Sequence, residues 1–192
     1  MRVIAGRLRG RRVDAPKGAA TRPTYDRVRE SMFAIIGPRI EGATVLDLFA
    51  GSGVLGIESV SRGAASAVFV DSDARALAVV RRNIEALGIG GACSLRRGDA
   101  VRLIERGALG AGFDVVFVDP PYRSGLRAAV LARLGEPGAL ALEALVVVEH
   151  EAECELPRVF GTLELTRRER YGSTAVSFYS PTAVRRHERE AT

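Results

Sequence analysis

The chain has 192 residues, 47% hydrophobic and 27% charged, with a net charge of +5. These values are typical of one globular domain, and no apolar run approaches the ~20 residues that span a bilayer. The basic N-terminus precedes no signal-peptide pattern, so we expect a cytoplasmic protein without a membrane partner. The two cysteines and two histidines match no metal-ligand spacing, and we expect reduced thiols and no metal.

The positive charge is concentrated in the first fifth of the chain. Residues 1–39 contain ten basic and three acidic residues, whereas the remainder carries a net charge of −2. A basic arm on a near-neutral body indicates a polyanionic partner, most often nucleic acid, although a merely solvated basic surface gives the same count. Small apolar and basic residues alternate over 3–16, which predicts a short hairpin or extended arm, and an amphipathic helix is predicted over 25–37.

From residue 43 the pattern alternates between strands and helices. It predicts strands at 43–49, 65–70, 92–98, 113–118 and 144–150, and helices at 53–63, 73–88, 99–107 and 124–134. The apolar runs lack alternation, as expected of strands that helices cover on both faces. Two further strands around Gly172, with no helix between them, predict a C-terminal antiparallel hairpin.

The expected fold class is therefore α/β. We predict a Rossmann-like, mostly parallel seven-stranded sheet with this hairpin at one edge and a small N-terminal basic arm. The predicted organisation is an arm and helix over 1–39, a body over 40–182, and a flexible tail over 183–192.

The first strand is followed by DLFAGSGVLGIE, whose glycines fit the dinucleotide fingerprint G-x-G-x-x-G. Asp71 ends the second strand 20 residues after Gly51, where a ribose-binding acid belongs, so a nicotinamide enzyme is a live alternative. Asp47, however, lies at the strand end just before the glycine loop and would repel a diphosphate. It would suit a ligand with a positive group, which favours S-adenosylmethionine with its ammonium and sulfonium charges.

A further acid follows the third strand in Gly98-Asp99-Ala100. Asp99 could accept a hydrogen bond from an exocyclic amine such as adenine N6, or it could simply cap its helix. With Asp47 and Asp71, it gives three acids at the carboxyl ends of three successive strands. Open α/β sheets bind their ligands at that edge.

The fourth strand ends in Asp119-Pro120-Pro121-Tyr122. A carboxylate and a carbonyl held by proline can accept both N–H groups of an aromatic amine, so that its lone pair points at an incoming methyl group. Tyr122 offers a ring on which an extruded base can stack. The alternative is a Pro-Pro turn with a capping Asp.

DLFAGSG, FVDSD, GDA and DPPY, in this order and spacing, resemble the class I S-adenosylmethionine-dependent methyltransferases of exocyclic amines. The arm RVIAGRLRGRRVDAP and the segment TRPTYDRVRESMF resemble more specifically the RsmD family, the bacterial 16S rRNA guanine-N2 methyltransferases. This resemblance implies methyl transfer to a guanine N2 of small-subunit ribosomal RNA, within an assembling 30S particle, by a monomer. An N6-adenine DNA methyltransferase is the alternative, which the lack of an inserted recognition domain disfavours, and a non-catalytic RNA-binding module is a further one.

The resemblance also implies roles for individual residues. The cofactor would contact Thr21, Arg22, Thr24, Asp47, Gly51, Gly53, Asp71, Ser72, Asp99 and Ala100. The target amine would lie against Asp119, Pro120 and Tyr122. RNA phosphates would be bound by Arg7, Arg9, Arg11 and Arg12. TRPT would close over the methionine end of the cofactor, although it is also compatible with a linker in which Thr24 only caps a helix.

Overall fold

The computed structural model describes residues 1–16, 23–120 and 125–182. The helices are α1 (Pro23–Ile36), α2 (Val54–Ser61), α3 (Ala74–Leu87), α4 (Ala100–Glu105) and α5 (Leu126–Leu134). The strands are β1 (Thr44–Leu48), β2 (Ser66–Asp71), β3 (Cys93–Arg97), β4 (Phe113–Val118), β5 (Leu140–Glu151), β6 (Val159–Phe160), β7 (Leu163–Tyr171) and β8 (Thr174–Pro181). The predicted alternation is confirmed, and β5 begins four residues earlier than predicted.

All the strands form one sheet in the order β3-β2-β1-β4-β5-β8-β7-β6. Strands β1 to β5 are parallel, and β8 joins β5 in the antiparallel direction with β7 beyond it. The α/β class and the C-terminal hairpin are confirmed. The sheet has eight strands rather than seven because Val159–Phe160 pairs with the start of β7, and a two-residue strand is too short to leave a periodic pattern.

Helices cover both faces of the sheet. On β1, Val45 faces the layer of α1, α2 and α3, whereas Leu46 and Leu48 face the layer of α4 and α5. Val45, Leu46 and Leu48 are all fully buried. A strand with two buried faces needs apolar side chains at successive positions, which explains the lack of alternation in these runs.

Capping residues bound α3 at both ends. The side chain of Asp73 accepts a bond from Arg75 N and caps α3, and Gly88 ends α3 with a left-handed backbone, φ +67°. In α1, Val28, Met32 and Ile36 are buried on one face against the sheet. None of the helices within the described ranges is long and apolar enough to cross a membrane.

The arm is a hairpin-like loop that packs on the body. One antiparallel bridge joins Arg2 to Arg12, and Val3 and Val13 are buried in the same core cluster as α1, α2 and α3. The buried carboxylate of Glu58 on α2 accepts from the backbone N–H groups of residues 4 and 5 at 2.8 and 2.9 Å. The division into an arm and a body stays a prediction, but the two share one core.

Candidate active site

The strand ends bring the predicted acids to one edge of the sheet. Leu48 lies opposite both Val70 and Val118, so the first residue after β1 is flanked by Asp71 on one side and Asp119 on the other. The chain continues from β1 toward β2 and β3, and then returns to place β4 on the opposite side of β1. This reversal between β1 and β4 is the switch point at which open α/β sheets bind ligands.

The loop after β1 has an unusual backbone. Gly51 and Gly53 have φ values of +56° and +77°, and Phe49 has φ +64° although it is not a glycine. A positive φ is costly for a bulky side chain and is found mostly where a site over-determines the backbone. The strain at Phe49 marks this loop as functional, and no pattern in the sequence indicates it.

Asp47 lies beneath the loop. Its side chain is 2% exposed, and its Oδ2 accepts the N–H of Gly56 in the first turn of α2 at 3.0 Å. Burial raises the pKa of Asp47 to about 8, although the bond from Gly56 opposes the rise. The negative charges of Asp119 and Asp71 raise it further. A cation placed above this carboxyl would remove part of that electrostatic cost.

The same loop fits a pyrophosphate poorly, because three of its backbone N–H groups already have acceptors. The N–H of Gly51 donates to Asp71 Oδ2 at 3.0 Å. The N–H of Gly53 donates to Ala50 O at 2.7 Å, and that of Ala50 donates to Val70 O at 2.8 Å. A diphosphate needs such groups unoccupied at a helix N-terminus. Buried and half-buried acids beside a closed loop fit the positively charged methionine end of S-adenosylmethionine.

Asp71 and Asp99 occupy the ends of the next two strands. Asp71 is half-buried, and its second oxygen accepts from Asp73 N at 2.9 Å, so the carboxylate holds the loop and the start of α3 together. Asp99 is exposed and caps α4 by accepting from Arg102 N at 3.0 Å. Each carboxylate keeps lone pairs for a ligand, as a ribose or adenine contact would need. Beside them, Ser72 is exposed and Ala100 is buried.

The predicted amine site is described in part. Asp119 is half-buried and Pro120 is buried. Burial raises the pKa of the Asp119 carboxyl, and the positive charge of Arg127 opposes the rise. Tyr122, Thr21 and Arg22 lie outside the described residues, and of Thr24 only the backbone, in α1, is described. The cofactor-binding and catalytic roles of all these residues stay predictions.

Two charged residues beside Asp119 were not foreseen from the sequence. Val118 pairs with Val148, so Glu149 on β5 lies next to Asp119 at the same edge. Glu149 and Arg127 are only 6% exposed each. Arg127 interrupts the helical run LRAAVLARL as an ordinary polar residue would, and only its burial distinguishes it from a surface arginine.

The arm runs from one edge of the sheet to the other: Arg7 in its turn lies at the amino edge, whereas Arg12 pairs with Asp14, and Asn83 donates to both the Asp14 carbonyl and the Ser52 carbonyl of the glycine loop. The turn of the arm is fixed at the last residue of α2, where the N–H of Arg7 donates to Ser61 O at 2.8 Å. Gly6 packs so closely there that a Cβ atom would be 1.9 Å from the same oxygen. Gly63, two residues on, accepts from Gly42 just before β1, so this is the amino edge. The five residues of β1 separate the two edges by about 16 Å.

The fold, the closed glycine loop and the row of acids together define a class I methyltransferase. Among solved structures, "Putative methyltransferase yhhF" from Escherichia coli is similar to this chain, with a TM-score of 0.84 and 38% identity over 94% of this chain and 97% of that one. The structure of "putative methylase HI0767" from Haemophilus influenzae has a TM-score of 0.79 and 29% identity over 94% and 97%.

The family model described as "Conserved hypothetical protein 95" matches residues 1–180, and the chain belongs to this family. "Putative rRNA methyltransferase YlbH" of Bacillus subtilis is 43% identical over 93% of this chain and 98% of the relative. "Ribosomal RNA small subunit methyltransferase D" of Escherichia coli is 38% identical over 93% and 89%. The resemblance to the RsmD family is therefore confirmed.

Proposed function

We propose that this protein transfers a methyl group from S-adenosylmethionine to the exocyclic N2 of a guanine in small-subunit ribosomal RNA. The observation that carries the proposal is the placement of Asp119 and Pro120 at the switch point, across from the acid-lined loop after β1. The relatives named as ribosomal RNA methyltransferases support RNA rather than DNA as the substrate. The occupied N–H groups of the loop disfavour a dehydrogenase.

Within this proposal, the chain supplies position and charge. Asp47, Asp71 and Asp99 hold the cofactor, which brings the methyl group on a sulfonium. Asp119 and the Pro120 carbonyl accept the N–H groups of the amine, so that the nitrogen lone pair points away from the ring. As the N–C bond forms and the S–C bond breaks, one N–H proton leaves, and the Asp119 carboxylate can accept it.

The substrate class can be tested with labelled cofactor. We expect label to enter the ribosomal RNA of small subunits prepared from cells that lack this protein. We expect none in duplex DNA rich in adenine targets at the same concentration of enzyme. Small subunits from normal cells serve as the control, since their target is already methylated. Label in the DNA and none in the subunits would favour the N6-adenine alternative.

We also propose that the substrate is an assembling 30S particle and that the enzyme acts on it in the cytoplasm as a monomer. Arg7 and Arg9 are exposed in the turn of the arm at the amino edge, and the length of β1 separates this edge from the carboxyl edge by about 16 Å. A polyanion that contacts both places must therefore extend along the layer of α2 and α3.

The exposed arginines of the arm lead to a prediction about the salt dependence of RNA binding. Replacing Arg7 and Arg9 with glutamine should weaken binding to small-subunit RNA, because both side chains are exposed on the docked turn. The slope of log affinity against log salt should fall by about 0.7–0.9 for each phosphate that the arm no longer neutralises. Filter binding from 50 to 300 mM salt measures it, and Arg102→Gln/Arg106→Gln on the opposite layer is the control. An unchanged slope would mean that the arm does not contact phosphate.

A further inference from the structure

The charged residues beside Asp119 include a buried arginine, Arg127, with unused hydrogen-bond donors. Arg127 lies in the first turn of α5, and its Nη1 pairs with Glu151 Oε2 at 2.8 Å. Within residues 1–16, 23–120 and 125–182, its Nε and Nη2 are buried and have no acceptor. These two atoms lie on one side of the guanidinium and form the fork with which arginine binds two acceptors at once.

A buried fork without acceptors is unfavourable in the folded protein. Each buried donor left without a partner loses the hydrogen bonds that it makes with water in the unfolded chain. The presence of such a fork beside a candidate active site therefore indicates a ligand that supplies the acceptors when it binds. Neither Asp119 nor Glu149 is bonded to the fork, although Arg127 acts electrostatically on both.

Glu149 adds an acceptor next to Asp119. The two carboxyl groups lie on neighbouring parallel strands, with Asp119 just after the last residue of β4 and Glu149 inside β5, and the two backbones are about 4.8 Å apart. Burial raises the pKa of Glu149, the negative charge of Asp119 adds to the rise, and Arg127 opposes it. A ligand that donates hydrogen bonds to both carboxyl groups would relieve their mutual repulsion.

We propose that Glu149 and Arg127 determine the specificity for guanine, with Glu149 accepting from N1–H and the Arg127 fork donating to the O6 side. This inference rests on the proposed function, in which Asp119 binds the N2 amine. Guanine presents two donors, N2–H and N1–H, followed by the acceptor O6, with N7 beside it. The cluster offers the complement, namely two carboxyl acceptors and a two-donor fork, and a bidentate arginine is the commonest reader of guanine O6 and N7.

The other amine-bearing bases do not fit this cluster. Adenine and cytosine each present a ring nitrogen acceptor beside the amine, and ionised Glu149 would oppose it with a second acceptor. Adenine also lacks a carbonyl for the fork. A ligand that leaves buried polar groups of the site unpaired binds much more weakly. This penalty is far larger than the one for a ligand that fills an apolar pocket incompletely.

The test compares substrates that keep the N2 amine and change the rest of the edge. Small subunits are reconstituted with guanosine or 2-aminopurine riboside at the methylated position, since 2-aminopurine lacks both N1–H and O6. For the wild-type enzyme we expect kcat/KM to favour guanosine by more than about 100-fold. In Arg127→Met and Glu149→Met this preference should fall by about 10-fold or more, because each of the two pairs carries part of the discrimination.

The controls separate a failure of this inference from a failure of the proposed function. Arg133→Met, on the same helix but paired with Glu105 and Glu136, should keep the wild-type preference. Arg127→Lys retains the charge without the fork and should also lose the preference, even if Arg127→Met fails to fold. An unchanged preference in folded Arg127 and Glu149 variants would overturn this inference alone. A wild-type enzyme that does not methylate the guanosine particle would overturn the proposed function and this inference with it.

Discussion

Replacing Asp119 with alanine should lower the rate of methyl transfer by at least about 10³-fold while the affinity for S-adenosylhomocysteine changes less than about threefold. The carboxylate lies at the end of β4, across the switch point from the loop after β1. In the proposed mechanism it contacts the target amine and not the cofactor. Loss of one oriented hydrogen-bonding group at a reacting centre typically costs ~10²–10³-fold, and loss of a proton acceptor adds to this.

Single-turnover kinetics with saturating cofactor measure the rate, and calorimetry measures the affinity. Asp114→Ala is a matched control, because Asp114 is at the other end of β4, where it accepts from Thr44 N at 2.8 Å. It should lower stability but not the rate of the folded enzyme. If Asp119→Ala lost cofactor binding and transfer to the same extent, the role assigned to Asp119 would be wrong.

Replacing Asp47 with asparagine should weaken the binding of S-adenosylhomocysteine by about 10- to 100-fold at pH 8, the range of one charged hydrogen bond. It should also remove the rise in affinity between pH 6 and 8. Because the pKa of Asp47 is about 8 without ligand, the carboxyl is mostly protonated at pH 6. A cationic ligand binds its ionised form, so binding releases a proton and affinity rises with pH.

Because ligand binding releases a proton from Asp47, the affinity should change with pH in a specific direction. For the wild-type protein, affinity should increase from pH 6 to 8 by at most tenfold per pH unit. Above about pH 8 it should level off or fall, since the α-amino group of the ligand then loses its own proton. Calorimetry across this range measures the profile, again with Asp114→Asn as control. A wild-type affinity that is flat from pH 6 to 8 would mean that Asp47 only stabilises α2 and the loop.

The parts of the fold that were predictable depend on local signals. Caps such as Asp73 and Gly88 bound α3 at the expected positions, and the apolar run of β4 identified a strand with both faces covered. The edge strand β6 was missed because two residues carry no period. The arm was predicted as a hairpin, but its attachment to Glu58 joins residues 53 and 54 positions apart, which no local pattern shows.

The candidate site likewise contains residues that local signals identify and residues that only the packed structure identifies. Asp47, Asp71, Asp99 and Asp119 were recognisable because each follows or ends a predicted strand, and parallel strands bring such ends together. Glu149 was hidden inside the run VVVEHE, where the strand continues past it. Arg127 was hidden in a helix, and its significance comes from two buried donors without acceptors, a property of the packed structure.

We infer that this protein methylates a guanine at N2 with residues at the edge formed by β1, β4 and β5. The most direct test is nucleoside analysis of small-subunit ribosomal RNA by mass spectrometry, after reaction with the wild-type protein and with Asp119→Ala. We expect N2-methylguanosine at one position with the wild-type protein and none with the variant. Methyl groups found on adenine N6, or on any ring carbon, would contradict it.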